Sequence, residues 1–336
     1  MGNSNLRQAK RAKNDEFYTR REDIEAELFH YKKHFEGKVV YCNCDDPESS
    51  EFWKFFQRVF KDWGLKRLIA THYEPDEKNF SYRIEMHPED DWQMEPEKIP
   101  LNSNGDFRSA DCVQLLKESD IVVTNPPFSL FREYVAQLME YGKKFLIIGN
   151  MNAVTYKEFF PLLKDNKVWL GYTANKTMIF RVADGYRYDE KITEKINDGY
   201  HYGKVPSITW FTNLDIKKRH TPLDLRGNYY DPALYPRYAN YNAINVNRVT
   251  DIPCDYDGIM GVPITFLDKH CPNQFEILGL SIGTLFDGKE LGKNFIDIYR
   301  QQGGTGHYSE KMIGLALFDL DGKAKVPYGR ILIRRK

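Results

Sequence analysis

Short apolar, β-branched runs alternate with longer amphipathic stretches through the first half of the chain. The runs have the length of strands, and the stretches between them are long enough for helices. Such an alternation is typical of a parallel sheet with crossover helices. The predicted strands are residues 38–42, 67–71, 120–124 and 144–148. The predicted helices are residues 22–35, 50–63, 112–117 and 131–141. We therefore predict a doubly wound α/β domain, with a β-hairpin inserted at residues 80–99.

The second half of the chain has a different pattern, in which short aromatic and β-branched segments are separated by turns rich in Gly, Pro and Asn. Helix signals are weak there. The predicted strands are residues 177–182, 206–214, 261–267, 275–280 and 330–333. This pattern predicts the last strands of the sheet followed by a loop-rich α+β region. We place the boundary between two domains, residues 1–220 and 221–336, after the predicted sheet.

The composition is that of a globular protein and excludes several other classes. The 336 residues include 48 basic and 48 acidic side chains, so the net charge does not indicate a nucleic-acid partner. The apolar runs fall well short of the roughly 20 residues that a membrane-spanning helix needs, and we expect no such segment. The five cysteines show neither a disulfide framework nor two pairs with zinc-site spacing. This usage predicts free thiols, a cytoplasmic location and no metal.

The first 14 residues form a basic arm. Four cations without an acidic neighbour before Asp15 make up its charge: Arg7, Lys10, Arg11 and Lys13. Charged termini are most often solvated tails. The alternative is a segment that contacts phosphates, and the sequence leaves both interpretations open.

The motif Asn125-Pro126-Pro127-Phe128 directly follows the predicted strand at residues 120–124. The carboxyl edge of an open parallel sheet is where ligands bind. The two prolines stiffen the turn and lack N–H donors, so the Asn125 side chain and a backbone carbonyl form a fixed pair of acceptors. This pair suits an exocyclic amino group, with Phe128 placed to stack on the ring that carries it. The alternative is a stiff strand-to-helix turn with a buried Phe.

Six segments over most of the chain carry a resemblance to one family. They are residues 15–19 (DEFYT), 43–47 (NCDDP), 105–109 (GDFRS), 125–131 (NPPFSLF), 209–214 (TWFTNL) and 255–266 (DYDGIMGVPITF). In these segments the sequence resembles the EcoRI-type adenine-specific DNA methyltransferases. The resemblance implies a Rossmann-like class I methyltransferase fold, a doubly wound mixed sheet, in residues 1–220 and a target-recognition region in residues 221–336. It also implies methyl transfer from S-adenosylmethionine to N6 of adenine at specific sites in double-stranded DNA.

The resemblance assigns a role to each matching residue. Asn125 and the Pro126 carbonyl would accept hydrogen bonds from the adenine amino group, Pro127 belongs to the same catalytic turn, and Phe128 would stack on the base after it is flipped out of the helix. The residues implied to hold the cofactor are Phe17, Tyr18 and Thr19 at its methionine end, Asp106 and Phe107 at its adenine with Asp111 as a rival acid, and Asn43, Asp45 and Asp46 after the first strand.

The chain departs from the broader methyltransferase pattern in two places. The turn at residues 42–47 contains no glycine, and Thr71-His72-Tyr73 stands where an acid usually follows the second strand, with Glu74 the nearest carboxylate. Ribose contacts therefore stay open. EcoRI-type relatives share the glycine-free turn, which indicates a variant site.

Two further segments leave alternatives open. Trp210 is expected to pack in the core, although the family suggests that an aromatic of this hairpin approaches the flipped base. The glycine-rich run at residues 303–306 is either a flexible loop or a loop that contacts DNA.

The same chemistry could serve RNA or a protein glutamine, and the chain could instead be a DNA-binding protein on an inactive methyltransferase scaffold. A cognate restriction endonuclease is a further possible partner. We expect a monomer, because one chain contains every catalytic element.

Overall fold

The structure is a computed structural model that describes residues 18–44, 46–74, 80–91, 93–182, 193–195, 201–229 and 234–336. These residues form two compact units. The first unit comprises the described residues up to Ala153 together with Trp169–Ile216, and the second comprises Val154–Val168 and Lys217–Lys336.

The helices are α1 Arg21–Leu28, α2 Lys32–Phe35, α3 Glu51–Val59, α4 Ala110–Glu118, α5 Phe131–Glu140, α6 Phe160–Lys164 and α7 Lys293–Gln301. The strands are β1 Tyr18–Thr19, β2 Val39–Cys42, β3 Arg67–Thr71, β4 Tyr82–Met86, β5 Ile99–Pro100, β6 Ile121–Thr124, β7 Lys144–Asn150, β8 Trp169–Leu170, β9 Met178–Val182, β10 Thr193–Lys195, β11 His201–Val205, β12 Ile208–Thr212, β13 Ile244–Asn245, β14 Met260–Pro263, β15 Phe275–Leu280, β16 Leu317–Phe318, β17 Ala324–Lys325 and β18 Arg330–Arg335.

An eight-stranded mixed sheet forms the centre of the first unit, in the order β5-β4-β3-β2-β6-β7-β12-β8. Strands β3, β2, β6 and β7 are parallel, and they match the four strands predicted for the first half of the chain. Nearly all their side chains are buried, as expected of strands covered on both faces. The predicted hairpin is also confirmed, because β4 pairs antiparallel with both β3 and β5.

The helices of the first unit bury the predicted aromatic face. Phe52, Phe55 and Phe56 of α3 are at most 1% exposed, and the Ser50 hydroxyl caps the helix by accepting from the Phe52 N–H at 3.1 Å. The helix ends at Val59, earlier than predicted, and the chain turns through Gly64, whose φ of 63° suits glycine.

The predicted helix at residues 22–35 is divided into α1, a 3-10 turn at Phe29–Tyr31 and α2. Tyr31 is fully buried, and its hydroxyl donates to Glu27 at 2.6 Å. Glu27 also accepts hydrogen bonds from the backbone N–H groups of Tyr172 and Thr173, at 2.6 and 2.7 Å. The break in the helix thus places two side chains where they hold the loop after β8.

A second sheet of the same unit has the order β1-β9-β11-β10. Strand β1 pairs antiparallel with β9, so that Thr19 lies opposite Phe180. Helix α3 packs against β1.

The second unit contains a four-stranded sheet in the order β13-β14-β18-β15 and a hairpin of β16 and β17. The predicted strand at residues 261–267 is wrong beyond Pro263, where a 3-10 helix, Ile264–Lys269, follows. Its consecutive residues Phe266, Leu267 and Asp268 are all buried, which suits a helical turn better than an alternating strand. Helix α7 was not predicted; it buries Phe295 and Ile296.

Among the residues that the structure describes, no helix is long and apolar enough to cross a membrane.

Candidate active site

The polar residues of the site follow the carboxyl ends of the parallel strands. Strand β2 pairs with β3 on one side and with β6 on the other, so the order of the strands reverses at β2. Open α/β sheets bind their ligands in the crevice at such a switch point. Asn43 follows β2, His72 follows β3 and Asn125 follows β6. The candidate site is therefore at this edge of the sheet.

Asn43 is held in one orientation although it is not part of a strand. The residue is 2% exposed. Its Oδ1 accepts a hydrogen bond from the Tyr134 hydroxyl, and the Cys44 thiol lies 3.7 Å from the same oxygen. Both groups can donate to this oxygen, which favours the orientation in which the amide oxygen faces Tyr134. The other amide atom, Nδ2, is a buried donor with no hydrogen-bond partner among the described residues.

Tyr134 connects this loop to the helix that follows the Asn-Pro-Pro-Phe turn. It lies in the first turn of α5 and is fully buried, and its ring meets that of Phe107 edge to face at a centroid distance of 5.1 Å. Burial holds the pKa of Tyr134 well above its ordinary value, so the hydroxyl remains a donor. Sequence reasoning missed Tyr134, because its only signal was a polar atom on the buried face of a helix.

A second bond connects the same loop to strand β6. The Cys44 backbone N–H donates to the Thr124 hydroxyl at 3.2 Å, and Thr124 is fully buried directly before Asn125. The loop after β2 is therefore joined to the two elements that flank the turn, to β6 through Thr124 and to α5 through Tyr134.

The Asn-Pro-Pro-Phe turn directly follows β6 and leads into α5. Pro126 is buried, while Asn125, Pro127 and Phe128 are partly exposed. Phe128 begins a 3-10 turn, Phe128–Leu130, that continues into α5, and its ring packs against the core of the first unit. The turn thus leaves three side chains partly exposed at the edge of the sheet, although the Asn125 Oδ1 atom itself is buried, and the flanking strand and helix fix its backbone.

A histidine with two carboxylates beside it lies after β3, where most methyltransferases have an acidic residue. His72 Nδ1 is 3.4 Å from Asp46 Oδ1, and its Nε2 is 3.8 Å from Glu74 Oε2. The Asp46 carboxylate beside it raises the pKa of His72 above its ordinary value, and partial burial opposes the shift. Burial would raise the pKa of Asp46, but the pairing with His72 and the hydrogen bond from the Glu48 backbone N–H outweigh it and lower that pKa. Sequence reasoning did not include His72 in the site, although its position after a buried strand was a usable signal.

The segment at residues 105–107 is brought to this cluster by Gly105. This glycine has φ of 78°, and a Cβ there would collide with the backbone oxygen of His72. Asp106 forms a two-fold ion pair with Arg108, at 2.8 and 2.7 Å, which lowers the pKa of Asp106. Phe107 is 4% exposed and contacts Tyr134. The rival acid Asp111 instead accepts from the Asn102 backbone N–H at 2.8 Å.

The remaining candidates are placed less centrally. Thr19 is 4% exposed, and its hydroxyl has no hydrogen-bond partner among the described residues. Tyr18 beside it carries the Arg181 guanidinium 4.6 Å above its ring. Trp210 is 1% exposed and packs edge to face on Phe52, which supports the core-packing interpretation.

Several candidates lie outside the described residues: Phe17, Asp45, Arg7, Lys10, Arg11 and Lys13. All five cysteines are free thiols. Within the described part of the chain, no group of three or more His, Cys, Asp or Glu side chains could hold a metal ion.

Comparison with known proteins identifies the family of the chain. The family model of the adenine-specific methyltransferase EcoRI matches residues 5–336. The chain is 47% identical over 305 residues to the Type II methyltransferase M.EcoRI of Escherichia coli, which covers 87% of this chain and 93% of the relative. It is 45% identical over 273 residues to the Type II methyltransferase M.MpnI of Mycoplasma pneumoniae, covering 80% of this chain and 83% of that protein.

No solved structure is significantly similar to the chain. The mixed α/β sheet fits a class I methyltransferase fold. The resemblance and the enzyme class predicted from the sequence are confirmed: the chain belongs to the EcoRI family of adenine-specific methyltransferases.

Proposed function

We propose that this enzyme transfers a methyl group from S-adenosylmethionine to N6 of an adenine that is flipped out of double-stranded DNA, and that it does so at a specific sequence. The observation that carries the proposal is that the loop after β2 is hydrogen-bonded to both elements that flank the Asn-Pro-Pro-Phe turn, β6 and α5. One element supplies acceptors for an amino group, and the other supplies a buried donor at the switch point of the sheet.

The residues at this edge fit S-adenosylmethionine. Nearly all buried polar groups of folded proteins have hydrogen-bond partners, so a buried donor without one points to a ligand. Asn43 Nδ2 is such a donor, and the Thr19 hydroxyl is a second group of this kind. The carboxylate and ribose hydroxyls of S-adenosylmethionine are matching acceptors. We assign Asn43 to one of these oxygens and keep Thr19, beside Tyr18, for the methionine end.

The acidic residues supply the complementary acceptors. Asp46, held by His72, is the candidate for ribose hydroxyls, since its lowered pKa keeps it an acceptor at neutral pH. Asp106 is the candidate acceptor for the amino group of the cofactor adenine. Its ion pair with Arg108 uses only part of the four or so lone-pair positions of a carboxylate, so it can accept a further hydrogen bond. Phe107, which packs on Tyr134, would contact the adenine ring. Asp111 stays the alternative acid.

The turn after β6 holds the target base. The Asn125 side-chain oxygen and the Pro126 carbonyl accept from the adenine amino group and direct its lone pair out of the ring plane, while Phe128 stacks on the base. Flipping costs a few kcal/mol, which stacking and these two bonds offset. When bound, S-adenosylmethionine supplies a methyl group on a positively charged sulfur, which the amine displaces in one in-line step. The chain's contribution is to position and desolvate the reacting groups.

The names of the relatives suggest the biological role of the enzyme. The two proteins described above are named Type II methyltransferases. We propose that this chain likewise acts in restriction-modification, beside an endonuclease for the same sequence or alone. Its free thiols suit the reducing cytoplasm. Monomeric action, and DNA recognition by the second half with the basic arm at residues 1–14, belong to the same proposal.

The test is transfer of labelled methyl groups to unmethylated genomic DNA, followed by digestion to nucleosides and mapping of modified positions. We expect N6-methyladenine at one recurrent sequence. Asn125→Ala should lower the rate by about 100-fold or more, the usual loss for one positioned polar group on a reacting atom. Its control is Asn294→Ala, an exposed change in α7 that should leave the rate unaltered.

Each of the other two results leads to a different conclusion about the function. If DNA receives no label while calorimetry shows cofactor binding, the substrate is wrong, and RNA and protein glutamine are tested next. If the cofactor does not bind either, the chain is an inactive scaffold that binds DNA.

A further inference from the structure

The second unit contains a cleft of about 450 Å³ that the sequence did not predict. Its walls include the glycine-rich loop at residues 303–305, Asn247 and the segment that leads into β18. Every charged residue in its lining is a cation: Lys323, Lys325 and Arg330. Lys325 is paired with Asp319 at 2.6 Å, so Lys323 and Arg330 dominate the charge of the cleft. The cleft therefore suits an electron-rich or anionic partner.

Arg330 is held at this cleft by a buried amide. Its Nε donates to Asn245 Oδ1 at 3.2 Å, and the Tyr238 hydroxyl donates to the same oxygen at 2.8 Å. Asn245 is 1% exposed, and its Nδ2 donates in turn to Asn247 at 2.8 Å. The bond to Asn245 uses one of the five N–H donors of the guanidinium.

The backbone of Arg330 is fixed as well. Its N–H donates to the Ser281 hydroxyl at 2.8 Å, and its carbonyl accepts from the Ser281 N–H at 2.9 Å. On the neighbouring strand, Gly261 leaves room for Tyr238, because a Cβ there would collide with the tyrosine hydroxyl. The guanidinium is thus attached to rigid elements, and binding a ligand would cost it little further ordering.

An exposed aromatic ring completes the cleft. Tyr328, two residues before Arg330, is 93% exposed. A ring in this position contributes little to the core of the unit, yet it can pack against a sugar or a base edge. Cations beside an exposed aromatic ring are typical of nucleic-acid interfaces.

We propose that this cleft contacts the DNA duplex and that Arg330 reads a guanine edge in the recognition sequence; the proposal rests on the proposed function. Guanine presents N7 and O6 to the major groove, and the fork of an arginine donates to both. Lys323 would contact phosphate. The loop at residues 303–305 would then lie at the DNA, which chooses between the two interpretations that its sequence left open.

The experiment compares Arg330→Lys, which keeps the charge and loses the fork, with Arg330→Met, which loses both. The control is Arg334→Met, an exposed change on the same strand that removes an ion pair with Glu276 and lies outside the cleft lining. Binding is measured by fluorescence anisotropy on a duplex with the mapped wild-type site and on a scrambled duplex. Methylated positions are sequenced genome-wide, and calorimetric S-adenosylmethionine affinity shows that the first unit is intact.

For base reading we expect both Arg330 variants to lose roughly 10-fold or more in preference for the mapped duplex, with relaxed selection at one guanine position. Arg334→Met should match the wild type. Unchanged selection in both variants overturns the proposal. So does a loss in Arg330→Met that is equal on both duplexes and restored in Arg330→Lys, because that result describes a phosphate contact. If the wild type methylates no DNA, the proposed function fails and no site can be mapped; equal binding of the wild type and all variants to the scrambled duplex then refutes the contact between the cleft and DNA independently.

Discussion

Tyr134→Phe removes one oxygen atom and tests whether the tyrosine orients Asn43 for the cofactor. The ring and its contact with Phe107 remain, and the hydrogen bond to Asn43 Oδ1 is removed. The Cys44 thiol at 3.7 Å is then the weak donor that remains on that oxygen. Leaving a buried acceptor without its main partner costs about 1–3 kcal/mol.

Part of this cost should appear in cofactor affinity. In the variant without cofactor, the Asn43 amide is no longer confined to one orientation. Cofactor binding must then select the orientation that points Nδ2 at the ligand. If about 1–2 kcal/mol is paid at that step, the Kd for S-adenosylmethionine rises roughly 5- to 30-fold. We expect KM for the cofactor to rise with it, while KM for DNA stays unchanged.

The assay is titration calorimetry with S-adenosylmethionine, with the melting temperature measured beside it. Tyr31→Phe is the matched control, since it removes a buried tyrosine hydroxyl of the same unit that donates to Glu27 instead. The control should lose stability and keep its cofactor Kd. Wild-type affinity in Tyr134→Phe, or an equal loss in Tyr31→Phe, would refute the role assigned to Tyr134.

Three further predictions follow from the site and the arm. His72 has a raised pKa in the folded state, so the stability from its pairing with Asp46 is fully present below about pH 6.5 and is lost as the pH rises through the folded pKa. Asp46→Asn should flatten that part of the profile of unfolding free energy against pH, measured by urea unfolding. An unaltered profile would contradict the pairing. Gly105→Ala should lower both the melting temperature and the affinity for the cofactor, because the added Cβ would collide with backbone atoms. The control is Gly37→Ala, which also has a positive φ but no atom near the added Cβ, and it should cost only about 1 kcal/mol of backbone strain. Equal losses of stability and affinity in both variants would exclude the clash. Deletion of residues 1–14 should weaken binding to the duplex and make its salt dependence shallower. The slope of log affinity against log salt concentration should fall in magnitude by about one for each phosphate that the arm neutralises. An unchanged affinity and slope would identify the arm as a solvated tail.

Much of the first unit could be predicted because its signals are local. A buried parallel strand is a short apolar run, and the strands at β2, β3, β6 and β7 have this form. Position relative to those strands was enough to place Asn43 and the Asn125 turn at one edge of a sheet. The hairpin at β4 and β5 was equally local, since turn-forming residues separate its two strands.

The second unit was predicted less well because its elements are short and their signals conflict. The strand predicted at residues 261–267 contains the β-branched and aromatic residues of a strand, but the chain turns helical after Pro263 to bury three consecutive side chains. Helix α7 is short, and its buried residues Phe295 and Ile296 do not extend into a long periodic pattern. The small helix α6 packs on β15, more than one hundred residues later in the chain.

The sequence by itself determined the succession of strands and helices along the first half of the chain, the position of the Asn-Pro-Pro-Phe motif at the end of β6 and the family to which the chain belongs, because each of these is written in contiguous residues. Only the tertiary structure decided how those pieces act together. Tyr134 and Asn43 are 91 residues apart, and Arg330 and Asn245 are 85 apart. A hydrogen bond between such residues has no local pattern, since it depends on strand order and on which helix face turns inward. Burial then makes each bond specific, because a buried polar atom must find its partner in the fold or in a ligand.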